Sequence, residues 1–195
     1  MYSESADPWQ LGDRWYEQRK YAITLALLPY ARYRHAFEPG CSIGVLTERL
    51  TTRCDHIIST DVAPAALGAT HRRLVDAGRR SQVTLLRASL DEPWPPGPFD
   101  LVVLSEVCYY LQPGVLRDVL GREVRRLRSA ATVVAAHWRH PVADYPINGD
   151  QVTDVIAATP GLHRLGGYRD ADMAVEVFET QSPISVAART GVPGS

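Results

Sequence analysis

The residues best suited to chemistry are a glycine turn and two acids, each near the end of an apolar segment. Gly40 and Gly44 bound a short turn that follows Glu38, and glycine lets the backbone bend sharply and pass close to a ligand. The amides that begin the next helix lack helical partners and can bind an anionic or hydroxyl-rich group. Asp61 ends the following apolar segment, where a carboxylate can accept hydrogen bonds from both hydroxyls of a ribose. Together these residues predict a binding site for a nucleotide-like ligand.

Apolar segments of strand length alternate with amphipathic segments along the chain. The predicted strands are 35–39, 56–61, 83–87, 99–105 and 131–137, followed by an antiparallel pair at 162–168 and 174–180. A first helix is predicted from about residue 13, with Trp15, Arg19 and Ala22 on one side. The other predicted helices are 43–52, 64–76, 113–127 and 150–159. Asp150 is the predicted cap of the last one. This order predicts an α/β fold, a doubly wound, seven-stranded, mostly parallel sheet with a C-terminal antiparallel hairpin. Ligands of such sheets bind beyond the carboxyl ends of the strands.

Length and composition suit one compact domain, since 195 residues with 45% hydrophobic content can bury a sizeable core. We expect a mobile arm at 1–12, a single domain at 13–180 and a loose tail at 181–195. The formal net charge of −1 lacks the basic excess of a nucleic-acid surface, and no apolar run is long enough to span a bilayer. The three cysteines show neither zinc spacing nor a disulfide framework, which favours a reducing cytoplasm.

The sequence resembles class I S-adenosylmethionine-dependent methyltransferases over about residues 15–180. The resemblance rests on the glycine turn at 38–44, Asp61, the segment 99–105 and the terminal hairpin. More narrowly, the segments 15–20, 104–107, 109–111 and 137–141 are similar to the nodulation-protein-S branch, which includes N-methyltransferases acting on amino sugars of chitooligosaccharides. The resemblance implies S-adenosyl-L-methionine as cofactor, with S-adenosyl-L-homocysteine as product. It also implies a small-molecule acceptor, most readily an amine or amino sugar, and a monomer or homodimer.

The resemblance assigns roles to individual positions. It implies that Gly40, Ser42 and Gly44 wrap the methionine part of the cofactor, with Asp61 on the ribose and Val62 on the adenine. Many members carry a glycine at the position of Ser42 and an acid where this chain has residues 88–90. The full set implied for the cofactor is Trp15, Arg19, Glu38, Gly40, Ser42, Gly44, Asp61, Val62, Ser89, Leu90, Ser105 and Tyr110, with Arg19 facing the methionine carboxylate and Ser105 beneath the methionine.

Methyl transfer from a sulfonium is an in-line displacement, so the protein mainly aligns the nucleophile, the carbon and the sulfur. A protonated amine must first lose its proton and a hydroxyl usually needs a base, for which the candidates are His137, His140 and Glu106. Glu106 could instead bind an ammonium or orient a histidine. The predicted acceptor wall consists of Tyr109, Trp138, Arg139 and Tyr145, with Asp144 beside them. Each candidate also has a structural interpretation: backbone-bonded histidines, a salt-bridged Glu106, core tyrosines and a surface ion pair for Arg139.

Other functions stay open on sequence alone. One is O-methylation with a histidine as base; a metal-assisted form would need more acids than Glu106 supplies, so no metal is expected. The residues Gly40, Ser42 and Gly44 also match the nucleophile elbow of serine hydrolases, although Asp61 has no role there. An NAD-dependent oxidoreductase would need the fuller G-x-G-x-x-G spacing. A catalytically silent protein that senses the cofactor would bind it without transfer.

Overall fold

The computed structural model describes residues 11–195, so residues 1–10 of the predicted arm lie outside the described residues. The strands are β1 (Tyr33–Pro39), β2 (Cys54–Asp61), β3 (Val83–Arg87), β4 (Leu101–Ser105), β5 (Thr132–Trp138), β6 (His163–Arg169) and β7 (Met173–Glu179). The α-helices are α1 (Trp15–Leu27), α2 (Val45–Leu50), α3 (Pro64–Asp76), α4 (Pro113–Glu123), α5 (Gly149–Ala157) and α6 (Val186–Arg189).

All seven strands belong to one sheet, in the order β3-β2-β1-β4-β5-β7-β6. Strand β1 pairs in parallel with both β2 and β4, and β4 pairs in parallel with β5. Strand β7 lies antiparallel between β5 and β6. The predicted doubly wound, mostly parallel sheet with a C-terminal hairpin is therefore confirmed. The carboxyl ends of β1, β2 and β4 meet at one edge, on both sides of the point where the strand order reverses.

The sheet is covered on both faces, which fixes the strand ends firmly. Strand β4 is buried from Leu101 to Leu104, as its continuous apolar sequence requires of a central parallel strand. One core cluster includes Phe37, Leu120 and Ile156, and the cluster on the other face includes Leu50, Ile57 and Val103. Residues that follow β1, β2 and β4 therefore extend from a rigid support.

Helix α5 begins at a different cap from the one predicted. Asn148, not Asp150, is the N-cap: its side chain accepts from the backbone N–H of Gln151, whose side chain accepts from the backbone N–H of Asn148. Asp150 is instead bonded by Arg139 and Arg169. The prediction of Asp150 as cap was wrong because Asn148, two residues earlier, is also a residue that caps helices well.

Two further observations bear on the ends of the chain and on membranes. In the tail, Arg189 donates to both carboxylate oxygens of Glu179, at 2.9 and 2.8 Å. The division of the chain into arm, domain and tail stays a prediction. Within residues 11–195, no helix combines the length and the apolar character needed to cross a bilayer.

Candidate active site

A cleft of about 1030 Å³ opens at the carboxyl ends of the parallel strands. Its floor is made by the turn after β1 and by the ends of β2 and β4, while α1 and the loop after β5 form the sides. Ligand sites in proteins usually measure about 300–1,000 Å³. The cleft therefore has room for two molecules side by side, as a transfer reaction requires.

The two glycines of the turn after β1 have different surroundings: one lines the cleft and the other lies where two helices pack. Gly40 and Gly44 have φ of 73° and 77°, a left-handed conformation that favours glycine. A Cβ at Gly44 would lie 2.6 Å from the side chain of Thr70, so this glycine lets α2 approach α3. Gly40 lines the cleft and Gly44 does not. We therefore correct the role expected for Gly44 from cofactor contact to helix packing.

Asp61 at the end of β2 presents an anchored carboxylate to the cleft. Its Oδ2 accepts from the backbone N–H of Ser42 and its Oδ1 from that of Ala63, both at 2.9 Å. Each oxygen keeps capacity for a further hydrogen bond, because an ionised carboxylate has about four acceptor positions. Beside it, Val62 is 58% exposed and Leu90 is buried in the cleft wall. This arrangement suits a diol attached to a flat apolar ring.

Glu38 at the end of β1 is a buried acid whose recorded partners are neutral hydroxyls. It is 2% exposed, and its Oε2 accepts from Thr47 Oγ1 at 2.6 Å and from Ser59 Oγ at 2.9 Å. Burial raises the pKa of Glu38 to about 7, although the two hydroxyls lower it and nearby Asp61 adds to the rise. A cationic group of a ligand would favour its carboxylate form.

Glu106, directly after β4, connects three parts of the cleft wall. Its Oε1 accepts from Lys20 Nζ at 2.7 Å, and its Oε2 accepts from Tyr109 OH at 2.8 Å and from the backbone N–H of Trp138 at 3.0 Å. Burial is the largest single influence and would raise the pKa of Glu106, but Lys20, His137 and the backbone N–H of Trp138 together outweigh it, so the pKa lies below its usual range. Glu106 therefore stays an anion at working pH.

Lys20 and Glu17 on α1 were missed by the sequence analysis. Lys20 is 2% exposed, and its Nζ also lies 2.9 Å from Glu17 Oε2. The helical spacing predicted that Trp15 and Arg19 lie on the face of α1 that packs on the sheet or closes over a ligand. That prediction of the helix face was wrong, because Trp15 is 76% exposed and the buried residues are others. The buried face carries charges, which a count of apolar positions overlooks. One signal was available, since Lys20 is the only lysine in a chain that otherwise uses arginine.

Arg19 and Arg139 lie outside the cleft wall because their guanidinium groups bind carboxylates elsewhere. Arg19 donates to Asp170 Oδ2 at 2.7 Å and to the hydroxyl of Tyr168. Arg139 donates to both oxygens of Asp150 at 2.9 and 3.0 Å. Both arginines tie the C-terminal hairpin to neighbouring elements. We therefore correct their expected roles, Arg19 facing a carboxylate of the cofactor and Arg139 facing the acceptor.

Neither candidate histidine reaches the cleft wall. His137 is fully buried, its Nε2 accepts from the backbone N–H of Cys108 at 3.3 Å, and burial lowers its pKa to about 4. His140 is half exposed, with its Nε2 2.9 Å from Asp172 Oδ1. His137 is bonded to backbone, so the role of base expected for it is corrected. His140 contacts Asp172, and its ring centroid lies 4.5 Å from that of Trp138; both of these residues line the cleft. Its role as a base stays a prediction.

An aromatic wall adjoins Glu106 in the cleft, because Tyr109 and Trp138 both donate to its carboxylate. Tyr109 and Tyr145 stack with ring centroids 4.5 Å apart, and the hydroxyls of Tyr110 and Tyr145 are 3.1 Å apart. Tyr16, which the sequence analysis missed, meets Trp138 edge to face at 5.2 Å. Such a wall packs well against a sugar or another small acceptor with apolar faces.

The structure thus brings most of the predicted site together. The predicted residues in the cleft wall are Glu38, Gly40, Ser42, Asp61, Val62, Ser89, Leu90, Ser105, Glu106, Tyr109, Tyr110, Trp138 and Tyr145. The predicted residues that the described wall does not include are Trp15, Arg19, Gly44, His137, Arg139 and His140. Wall residues absent from the prediction include Arg14, Tyr16, Glu17, Lys20, Tyr21 and Asp172. Within residues 11–195, no group of three or more His, Cys, Asp or Glu is arranged to hold a metal ion.

The sheet order, the glycine turn and the acid that ends β2 define a class I S-adenosylmethionine-dependent methyltransferase fold. The model of the Nodulation protein S (NodS) family matches residues 3–145. The chain belongs to this family, which confirms the resemblance found in the sequence.

Individual relatives agree with the family. Nodulation protein S of Rhizobium tropici is 30% identical over 130 residues, 66% of this chain and 53% of the relative, so the chain spans about half the length of that protein. A protein from Pseudomonas syringae, proposed to be a methyltransferase, has a crystal structure that superposes on this chain with a TM-score of 0.71. Its sequence is 35% identical, and the match covers 85% of this chain and 99% of that one. The N-methyltransferase NodS of Bradyrhizobium japonicum WM9, solved with S-adenosyl-L-homocysteine, is 24% identical with a TM-score of 0.78, over 89% of this chain and 91% of that one, which shows the shared fold.

Proposed function

We propose that the protein transfers the methyl group of S-adenosyl-L-methionine to a small-molecule acceptor, an amine or amino sugar. The observation that carries this proposal is Asp61, whose two oxygens are anchored by backbone amides in a cleft large enough for donor and acceptor. Family membership supports it, because the NodS protein of B. japonicum is an N-methyltransferase crystallised with the spent cofactor.

The residues of the cleft fit this cofactor group by group. Asp61 would accept from the ribose hydroxyls, and Val62 and Leu90 would face the adenine. The turn at 40–42 and Ser105 would surround the methionine part, and Glu38 would take its ammonium. For the methionine carboxylate we replace Arg19 with Arg14, which lines the cleft at the start of α1.

The acceptor side of the cleft favours an amine over a hydroxyl. When bound, the cofactor supplies an already activated methyl group, so the protein must orient the acceptor and exclude water. A hydroxyl usually needs a base, and neither predicted histidine lines the described wall. Glu106, held as an anion by Lys20, is suited to hold the nitrogen of an amine. O-methylation is therefore the second candidate, and the hydrolase interpretation of Ser42 lacks a histidine in the described wall.

A transfer assay with a labelled methyl donor tests the proposal. The acceptors are a short glucosamine oligomer, its fully N-acetylated counterpart and simple primary amines. We expect label on the free amines and none on the N-acetylated oligomer, which keeps the hydroxyls but loses the amine. Label on both oligomers would favour O-transfer. Binding of S-adenosyl-L-homocysteine without transfer to any acceptor would favour a protein that only senses the cofactor.

We also propose that the protein works in the cytoplasm as a monomer or homodimer. The three cysteines within the described chain are free and buried, which suits a reducing compartment. Light scattering coupled to size-exclusion chromatography would measure the assembly, and a tetramer or larger form would contradict this part of the proposal.

A further inference from the structure

We infer that Lys20 is a positioning residue for the acceptor: it holds Glu106 at the cleft wall so that the Glu106 carboxylate binds the nitrogen of the acceptor. The inference rests on the proposed methyl transfer to an amine. It concerns a residue of α1 whose Nζ lies 2.7 Å from Glu106 Oε1 and which is 2% exposed.

Among the described residues, Lys20 is the cation that Glu17 and Glu106 both contact. Lys20 lies between Glu17 and Glu106, at 2.9 and 2.7 Å, so two carboxylates share one ammonium. Burial of unpaired charge is costly, and a second cation at this place would complete the pairing. An acceptor amine that enters as an ammonium carries that charge, and it releases one proton to water in the cleft before its neutral nitrogen can take the methyl group. Glu106 is the member of the group at the end of β4, where the cleft floor lies.

The backbone of Glu106 indicates that its position depends on its partners. Glu106 has a φ of 53°, and left-handed backbone in a residue other than glycine persists only where surrounding contacts hold it. Those contacts are Lys20, the hydroxyl of Tyr109 and the backbone N–H of Trp138. Among these partners, only Lys20 carries a full charge, and it comes from a separate helix.

The wall around Glu106 also offers a polar group for a ligand. The hydroxyl of Tyr16 is buried in the cleft wall and has no hydrogen-bond partner among the described residues. Lys20 Nζ lies 5.2 Å from the Tyr16 ring centroid, so the same lysine also supports this tyrosine. Buried polar groups usually have partners, and an acceptor with hydroxyls beside its amine would supply one here.

The choice of lysine at this position is itself informative. The chain uses arginine for every other permanent cation and has a single lysine, at residue 20. An ammonium is a compact point charge that can bridge two carboxylates, whereas the planar guanidinium fork needs more room. The geometry around Lys20 Nζ, with both carboxylates within 2.9 Å, matches that compact bridge.

Removal of Lys20 should change how Glu106 titrates. The titratable groups that interact with Glu106 are Tyr16, Lys20 and Tyr21 from α1, Tyr109 from the turn after β4 and His137 from β5, and Glu17 contacts the same lysine. His137 is neutral above about pH 4 because burial lowers its pKa, so Lys20 is the cation of this group. Without it, burial raises the pKa of Glu106, so the carboxylate takes up a proton at a higher pH than in the wild-type protein.

The test compares Lys20→Met, Lys20→Arg and Glu106→Gln in the full chain, with a short glucosamine oligomer as the acceptor probe. We measure S-adenosyl-L-homocysteine affinity by calorimetry and kcat/KM between pH 6 and 9. Lys20→Met should keep cofactor affinity within about threefold and lose at least tenfold in kcat/KM at pH 6.5. Part of that loss should be recovered toward pH 8.5. Lys20→Arg keeps the charge, so its kcat/KM should not show this additional loss at acidic pH. Glu106→Gln should have a lowered kcat/KM at every pH.

Two further measurements keep the inference falsifiable if Lys20→Met does not fold. Glu17→Gln removes one of the two acids that contact Lys20 and leaves this lysine to Glu106, so it should raise the acceptor KM while leaving cofactor affinity unchanged. Selective ¹³C labelling of lysine gives one signal, that of Lys20, which should shift when the glucosamine oligomer is added to wild type but not to Glu106→Gln.

The outcomes separate the two proposals. A wild-type protein that fails to bind S-adenosyl-L-homocysteine would overturn the proposed function. If it binds but does not methylate the glucosamine oligomer, the assignment of an amine to Glu106 fails. An active wild type with an unchanged pH profile in Lys20→Met would overturn the inference alone. A large loss of cofactor affinity with an unchanged acceptor KM would do the same, because Lys20 would then serve the cofactor.

Discussion

At the scale of single residues, two acids at the strand ends face the cleft in opposite electrostatic settings. Glu38 is bonded by two neutral hydroxyls, and burial raises its pKa to about 7. Burial would raise the pKa of Glu106, but the Lys20 ammonium that bonds it, together with His137 and the backbone N–H of Trp138, brings the pKa below the usual range. The first acid can therefore respond to pH and to a ligand's charge, whereas the second stays ionised.

Cofactor affinity should depend on pH through Glu38. If the ligand's ammonium pairs with the carboxylate, binding must first remove the proton that Glu38 holds below about pH 7. The affinity for S-adenosyl-L-homocysteine should then fall by about tenfold between pH 8 and pH 6. Calorimetry at both pH values measures this, and Glu38→Gln should lose most of the dependence. Equal pH dependence in the two proteins would contradict the assignment.

Protein stability should depend on pH through His137. Its pKa is about 4 in the folded protein, below the ordinary value of about 6.5, so the unfolded chain takes up the proton first as the pH falls. From pH 7 to pH 5 this costs about 2 kcal/mol of unfolding free energy. Urea unfolding of wild type and His137→Gln at both pH values isolates the contribution, because the opposing effect of Glu38 is common to both. Matching losses in the two proteins would show that His137 is not responsible.

Single positions differ in how readily the sequence reveals them. Asp61 was predictable because an acid after an apolar strand must lie at the sheet edge. Lys20 was not, because its role depends on Glu106, 86 residues away, and no local spacing records that contact. His137 was assigned to the cleft from its place at the end of β5, but its side chain points into the protein and bonds the backbone of Cys108.

At the scale of elements, the start of α5 is fitted closely against the end of β5. A Cβ at Gly149 would lie 2.2 Å from the carbonyl oxygen of Trp138 and 3.0 Å from His137 Cβ. Trp138 lines the cleft, so this contact links the helix to the acceptor wall. The glycine is required by close packing, although glycine is a poor helix former.

Two glycine substitutions distinguish packing from helix propensity. Gly149→Ala should lower the unfolding free energy by about 1–3 kcal/mol, because the added methyl group overlaps the Trp138 carbonyl. Gly121→Ala within α4 has open space and should raise it by about 0.5–1 kcal/mol. Chemical denaturation measures both. A stabilising Gly149→Ala would show that the backbone yields there.

The strands were easier to predict than the face of α1. Strand β3 was predicted with its observed bounds. Strand β4 is a continuous apolar run because a central parallel strand is buried on both faces. Helix α1 buries Glu17 and Lys20 instead of an apolar stripe, since their charges are paired within the fold. The pattern that identifies helix faces therefore failed where paired charges are buried.

At the scale of the whole molecule, the cleft joins elements distant in the chain. Helix α1 comes first, the ends of β1, β2 and β4 form the floor, and Asp172 comes from the loop before β7. A ligand that fills the cleft contacts all of them and binds only the folded protein. Ligand binding should therefore stabilise the entire fold.

A thermal-shift experiment measures this stabilisation. S-adenosyl-L-homocysteine at about 100 times its Kd should add about 2.7 kcal/mol and raise Tm by about 5–10 °C in a protein of this size. NADH at the same concentration should have no effect, because the glycine turn lacks the dinucleotide spacing. A shift with NADH alone would favour the oxidoreductase interpretation.

The central claim is that Asp61 holds the ribose of the cofactor, and calorimetry of S-adenosyl-L-homocysteine tests it most directly. Asp61→Asn should bind about 10–100-fold more weakly than wild type, since hydrogen bonds to a charged group contribute about 1.5–3 kcal/mol. Asp55→Asn is the matched control, because Asp55 lies near the other end of β2 and pairs with Arg32. It should bind as wild type does. Equal affinity in wild type and Asp61→Asn would contradict the account.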